Sequence, residues 1–227
     1  LILFNILYKD APRDLYGENE EEAAVSEQIR VSAVFKNSML WALALIFLFD
    51  ELAFMSINGL FTTYLTGGSP SAPSPISLDM FDATKWASTA AILGTIMAPI
   101  FGKLSDALKT RKWVLLIGLL GGVAYTSFVF TSSNINWYYW IVILGGIAGG
   151  GVPSIIWAST PETVKPELVP SGNAFVAFTQ NLGMFIGAVA MGNLTLNFGW
   201  VTASYTLLVP CYVICIIILL VGLRKLR

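Results

Sequence analysis

The stretch GKLSDALKTRK, residues 102–112, is a short basic loop between two apolar segments, residues 83–101 and 113–131. Each segment contains about the 20 residues that a helix needs to cross a hydrocarbon core of about 30 Å. The loop carries four basic residues and one acid. Short loops rich in Lys and Arg stay in the cytoplasm. The stretch therefore predicts two transmembrane helices that are joined on the cytoplasmic side.

The same alternation runs through the chain and predicts an all-α membrane protein with six transmembrane helices. The apolar segments are residues 37–65, 83–101, 113–131, 137–158, 171–196 and 201–223. With these spans drawn, twelve of the thirteen Lys and Arg residues fall on one side, and Lys85 is alone on the other. The chain is 56% hydrophobic and 12% charged, whereas soluble domains carry about 25% charged residues. We expect a multi-pass protein of the plasma or inner membrane with both ends cytoplasmic.

Three regions flank the spans or connect them. Residues 1–8 are apolar but too few to span, which predicts the end of a truncated preceding helix; a short interfacial anchor is the alternative. Residues 9–36 are polar and predict a cytoplasmic linker, so that residues 37–227 form the six-helix domain. The loop at residues 66–82 is rich in Gly and Pro and is expected to be irregular. Its counterparts near residues 132–136 and 197–200 are short and predict antiparallel hairpins of the third and fourth and of the fifth and sixth spans.

The composition argues against several classes of chemistry. The chain contains no His, the commonest metal ligand and proton shuttle. Its two Cys residues, Cys211 and Cys215, lie in the last apolar segment, where they are interpreted as small apolar fillers. No metal site and no cofactor are predicted. The net charge of −1 indicates no nucleic-acid partner.

Two adjacent acids are the strongest candidates for a functional site. Asp50 is 13 residues past Asn37 and 15 before Leu65, so it lies about 20 Å from either end of the first span. A charged side chain near the bilayer midplane costs roughly 2.5 kcal/mol or more, and such residues are a functional hypothesis by default. A buried acid that stays protonated and hydrogen-bonded is the structural alternative.

Helical geometry places the two acids on different faces. At about 100° per residue, Glu51 shares a stripe with Met55, Asn58 and Thr62. Asp50 shares its stripe with Phe54, Ile57 and Phe61. We therefore expect Glu51 to be the coupling or substrate-contacting carboxylate and Asp50, the second coupling candidate, to be mainly structural.

Polar or small side chains also follow one face of three other spans and suggest a shared wet interior. The substrate-cavity candidates are Asn58, Thr62, Thr95, Ser154, Trp157, Gln180 and Asn181. Hydrogen bonding between helices is the alternative role for each of them. Small residues let helices approach closely, and tight packing alone explains most of the glycines in the spans. Those at 149–151, followed by Pro153, are expected to go further and weaken the fourth span locally, and such breaks often line a cavity or a hinge.

The basic loop resembles the Gly-x-Leu-x-Asp-Arg-x-Gly-Arg-Lys loop of the major facilitator superfamily, in the copy within the second six-helix half. The matching residues are Gly102, Leu104, Asp106, Arg111 and Lys112. The family's Arg after the Asp is Ala107 here, and the spacing to the basic pair is one residue longer. Residues 9–14 resemble the exit from the family's sixth helix. Residues 161–173 and 180–187 resemble its junction of the tenth and eleventh helices.

The resemblance implies the C-terminal half of a secondary transporter with a midplane substrate site, rocking-type alternating access and a separate N-terminal half as partner. Lipid, a small solute and a proton or other coupling ion would be its further partners. It also implies that Gly102, Asp106, Arg111 and Lys112 form a cytoplasmic gate loop. No basic residue sits inside a span unless Lys85 reaches inward, so neutral or cationic solutes are mildly favoured. The alternatives are an uncoupled facilitator, an intramembrane enzyme and a six-helix channel-like protein.

Overall fold

The computed structural model describes Ser32 and residues 34–223. The predicted truncated helix at residues 1–8 and nearly all of the predicted linker at 9–36 lie outside the described residues. The helices are α1 (Ser38–Leu65), α2 (Met80–Leu108), α3 (Arg111–Phe128), α4 (Tyr138–Thr163) and α5 (Val169–Phe198). The last helix, α6, consists of Trp200–Ala203, a π-helical turn at Ser204–Leu208 and Val209–Gly222. Short 3₁₀ helices, Ile135–Trp137 and Pro166–Leu168, precede α4 and α5.

The predicted six-helix bundle is confirmed. Within the described residues, α1, α2, α4, α5 and α6 are long and apolar enough to cross a membrane. The remaining helix, α3, is 18 residues long and begins with Arg111 and Lys112, which lowers its mean hydropathy. Its apolar part nevertheless packs into the bundle, where Val114, Leu115 and Leu119 are fully buried.

The bundle has two central helices. α1 packs between α5 and α6, and α4 packs between α2 and α3. The predicted hairpin of α3 and α4 is therefore present. The expected hairpin of α5 and α6 is wrong in its packing, because beyond the connection at Gly199 both helices pack against α1 rather than along each other. Close approach explains this: a β-carbon on Gly183 or Gly187 of α5 would clash with backbone carbonyls of α1.

The glycine-rich part of α4 does not break the helix, so the expected local weakening at residues 149–153 is wrong. α4 continues through Pro153 as one α-helix. Its glycines instead allow neighbours to approach closely. A β-carbon on Gly150 would lie 2.8 Å from the backbone nitrogen of Ala98 in α2, and one on Gly151 would lie 2.7 Å from the ring of Phe101. Tertiary packing here outweighs the low helix propensity of the segment.

The loop between α1 and α2 is also more regular than expected. Thr66–Ser69 (β1) and Ala72–Ser77 (β2) form an antiparallel hairpin with an irregularity after Thr66. Gly67 and Gly68 take φ values of 108° and 76°, which other residues rarely adopt. The indole of Trp200 donates to the carbonyl of Ala72 at 2.8 Å and ties the hairpin to the start of α6. The bundle end with this hairpin is called the hairpin end below.

Hydroxyl groups hold the hairpin end together. The last carbonyls of a helix have no partner within it, and carbonyls in the last turn of α3 and just after it receive donors from three other helices. Tyr138 of α4 donates to Val129 at 2.8 Å, and Ser204 of α6 donates to Thr126 at 2.6 Å. Tyr64 of α1 lies within hydrogen-bond distance of two further carbonyls. The ends of α1, α3, α4 and α6 are thus fixed to one another.

The opposite end of the bundle is the basic end. It contains the starts of α1, α3 and α5 and the ends of α2 and α4. Among the seven described Lys and Arg residues, six lie at this end, and Lys85 lies near the hairpin end. The side chain of Asn37 caps α1 by accepting from two backbone N–H groups, and it donates to the carbonyl of Thr163 at 2.6 Å. This bond ties the start of α1 to the end of α4.

Candidate functional site

Asp50 and Glu51 lie in the middle of α1 and are almost completely buried, with 2% and 3% of their surfaces exposed. No ion pair involves either acid among the described residues. The described Lys and Arg residues lie at the helix ends, within two turns of a terminus or outside the helices. The centre of the bundle therefore contains two acids without a compensating base.

Glu51 faces the gap between α4 and α5. On α1, the rings of Phe47 and Phe54 pack against α4, whereas the backbone of Leu48 and Leu52 touches α5. At about 100° per residue, Glu51 projects between these two contact faces.

A single hydrogen bond connects Glu51 to α5. The side-chain amide of Gln180 donates to Oε1 of Glu51 at 2.7 Å. The other carboxyl oxygen, Oε2, is buried and has no hydrogen-bond partner in the described part of the chain. One neutral donor is weak compensation for a buried negative charge, so the arrangement suits a carboxyl group that binds a proton or another cation.

Asp50 faces α6 instead. Its carboxyl group lies close to the Tyr212 hydroxyl and to Cys215, both of α6. The Tyr212 hydroxyl and Oδ1 of Asp50 are buried, and neither has a hydrogen-bond partner among the described residues. The two acids thus contact different helices.

The other cavity candidates are mostly exposed or half-buried. Asn58, Thr95, Trp157 and Asn181 are exposed, and Thr62, Ser154 and Gln180 are half-buried. The structure brings Gln180 to Glu51. It also places Trp157 edge-on against Phe47, with ring centroids 5.6 Å apart. Among the described residues, no hydrogen bond joins the remaining candidates to one another.

Several of these polar side chains bond to their own helix. Thr95 donates to the carbonyl of Ala91 at 3.1 Å, and Asn181 donates to that of Ala177 at 2.7 Å. Ser154 donates to the Gly151 carbonyl at 3.1 Å. Such bonds compensate a polar group in an apolar setting and leave the outward-facing atoms free for water or solute.

A second cluster forms at the basic end around Arg111, the first residue of α3. Its guanidinium lies 2.8 Å from Oδ1 of Asp106 and 2.9 Å from Oε1 of Glu162, and it donates to the Ser105 hydroxyl at 2.9 Å. The hydrogen bond with Glu162 raises the pKa of Arg111 above its ordinary value, so the side chain stays charged. The Arg111 side chain is 17% exposed, against 69% for Asp106 and 49% for Glu162.

This cluster joins the end of α2 and the start of α3 to the end of α4. The predicted loop at residues 102–112 is therefore mostly helical, and only Lys109 and Thr110 connect α2 to α3. Asp106 and Arg111 were predicted members, whereas Glu162 was missed as a partner because it lies 51 residues further along the chain. The other two loop candidates make no comparable contact among the described residues. A β-carbon on Gly102 would meet no atom within 4 Å, and Lys112 forms no ion pair.

A family model described as Major Facilitator Superfamily matches residues 43–226, which include all of α2 to α6 and both clusters. A search of curated proteins gave no match.

Proposed function

The chain belongs to the major facilitator superfamily and is a multi-pass membrane transporter of that type, and we propose that it forms the C-terminal six-helix half of a secondary active transporter. It would move a small solute by alternating access between two halves, with proton binding at Glu51 coupled to movement of the solute. The observation that carries the coupling is the buried Glu51 carboxyl group, which has one neutral donor and an unpartnered oxygen at the centre of the bundle.

The exposed polar side chains support the proposal that this half packs against a second six-helix domain. Asn58, Thr95 and Asn181 are exposed in the middle parts of α1, α2 and α5. Polar groups in contact with lipid hydrocarbon are costly, so such residues face a bundle interior or a water-filled cavity. A second six-helix domain across this face would enclose such a cavity at the midplane.

An uncoupled facilitator is the second candidate function. In that case Glu51 would contact the solute, and no ion would move with it. Imposing a proton gradient would then change the rate of uptake but would not drive accumulation above the external concentration.

Reconstitution tests the proposed half. We expect this chain alone to give no solute-linked proton movement in liposomes loaded with a pH-sensitive dye, whereas the complete transporter responds to at least one member of a solute panel. The reason is that one half leaves the cavity face open. Solute-linked proton uptake by this chain alone, above empty liposomes, would contradict the proposal. No response from the complete transporter would contradict proton coupling.

We also propose that the basic end faces the cytoplasm, since short basic loops are retained there. A cysteine introduced at Ser71 in the hairpin should react with a membrane-impermeant maleimide in intact cells, and one at Thr110 should react only after permeabilisation. The native Cys211 and Cys215 are both buried and give a low background. The reverse labelling pattern would show that the orientation is wrong.

A further inference from the structure

We propose that the transported solute is a small organic cation with a flat apolar body, bound between Glu51 of α1 and the indole of Trp157 of α4. The inference rests on the proposed function, because it assigns a substrate class to the same site. It depends on three features of the bundle: the sign of the charge at its centre, an exposed aromatic ring on the same face as Glu51, and an open carboxyl oxygen.

The first feature is the charge. Asp50 and Glu51 are acids at the centre of the bundle, and the described bases all lie near the helix ends. An anionic solute would meet uncompensated negative charge here without any basic side chain to bind it. A cation would instead supply the compensation that the buried Glu51 lacks.

The second feature is aromatic. Trp157 is 36% exposed, and its ring packs edge-on against the fully buried Phe47. Phe47 is one helical turn before Glu51, so the indole lies on the side of α1 from which the carboxyl group projects. Trp is the best cation–π partner among the aromatic side chains, worth roughly 0.5–2 kcal/mol. The contact with Phe47 is T-shaped, and the exposed part of the Trp157 side chain is available to a flat solute.

The third feature is the open oxygen. The side-chain amide of Gln180 donates to Oε1 of Glu51, and Oε2 has no hydrogen-bond partner among the described residues. Glu51 projects into the gap between α4, which carries Trp157, and α5, which carries Gln180. A cation in this gap would contact Oε2 and the indole together. In the conformation described, Glu51 is only 3% exposed, so binding requires the gap to open.

Matched cationic and neutral probes test the substrate class in the complete, purified transporter. The pairs are 1-methyl-4-phenylpyridinium with 4-phenylpyridine, and N-methylquinolinium with quinoline, titrated by calorimetry at a pH where the neutral members are uncharged. We expect at least one cation to bind about tenfold more tightly than its neutral partner, because the pair differs mainly in charge. Equal or weaker binding of both cations would overturn the proposal.

Variants then locate the site. Glu51→Gln should abolish the preference for the cation, and Trp157→Leu should lower cation affinity about threefold to thirtyfold, in line with the worth of a cation–π contact. Trp157→Phe keeps an aromatic ring, so its cation affinity should fall between those of the wild-type protein and Trp157→Leu. An intermediate affinity would show that the loss in Trp157→Leu does not come from misfolding. Trp140→Leu, which removes an indole that is even more exposed, at 65% against 36% for Trp157, and lies near the hairpin end, should change nothing. A cation preference that survives both Glu51→Gln and Trp157→Leu would overturn the site.

The test of the organic-cation site and the test of the proposed function can fail independently. Proton-driven accumulation of neutral solutes alone would overturn the organic-cation assignment and leave the transporter proposal intact. Cation binding without any solute-linked proton movement would do the opposite, because it would support the site and remove the coupling.

Discussion

In the complete transporter, Glu51→Gln is expected to abolish proton-driven accumulation of the solute. Gln keeps the size of the side chain and its capacity to bond with Gln180, but it fixes the neutral state. The site then has no proton to load and release. We expect accumulation to fall at least to the level of equilibration, which can be measured as solute uptake into proteoliposomes under an imposed pH gradient.

Counterflow in the same Glu51→Gln protein separates the two roles of the carboxyl group. If Glu51 binds only a proton, exchange of labelled for unlabelled solute needs no coupling and should continue. If Glu51 also binds the organic cation, counterflow should fall together with accumulation. Wild-type accumulation in the Glu51→Gln protein would show that the coupling group lies elsewhere.

Asp50→Asn is the matched control for that experiment. Asp50 lies beside Tyr212 and Cys215 on the side of α1 that faces α6. We expect its substitution to change thermal stability or expression and to leave accumulation intact in the protein that folds. Loss of accumulation in a stable Asp50→Asn protein, with wild-type accumulation in Glu51→Gln, would mean that the coupling carboxylate is Asp50.

Much of the fold could be predicted because helices that cross a membrane need long apolar segments and basic cytoplasmic loops, and both are visible in the sequence. Apolar length fixes the number of helices, and the placement of Lys and Arg separates the basic end from the hairpin end. The different faces of Asp50 and Glu51 follow from helical geometry alone. The sequence could not show which helices those faces meet, since α5 and α6 are joined by Gly199 yet both pack on α1.

Predictions from local helix propensity failed where packing against neighbouring helices stabilises the segment. Gly149 to Gly151 and Pro153 disfavour a helix on their own. In the bundle these glycines let Gly94 and Phe101 of α2 approach the α4 backbone, and that packing keeps the helix continuous. Glu162 was missed for a related reason, because its partner Arg111 is distant in sequence and comes near only when α4 folds back along α3.

The ion-pair cluster gives the second large effect. Arg111→Gln in the complete transporter is expected to slow exchange between the inward-open and outward-open states about tenfold, while solute affinity stays within about twofold. Arg111 joins Asp106 and Glu162, both partly exposed, and an ion pair of this kind is worth up to about 1 kcal/mol, so that loss of both corresponds to roughly tenfold. Both contacts lie within the six-helix bundle, so Arg111 fixes the end of α2 and the start of α3 to the end of α4.

The expected role of Asp106 follows from that geometry. Oδ1 of Asp106 is held by Arg111, and the side chain is otherwise largely exposed, so the carboxyl group is positioned for a contact with the other half when the basic end closes. Asp106→Asn should therefore also slow exchange and spare affinity, as measured by the interconversion rates of a donor–acceptor dye pair at the basic end. Lys103→Gln removes a base from the same loop without breaking an ion pair among the described residues, and it should leave the rates unchanged. Lost solute binding in a folded Asp106→Asn protein with normal exchange rates would show that this loop is not a gate.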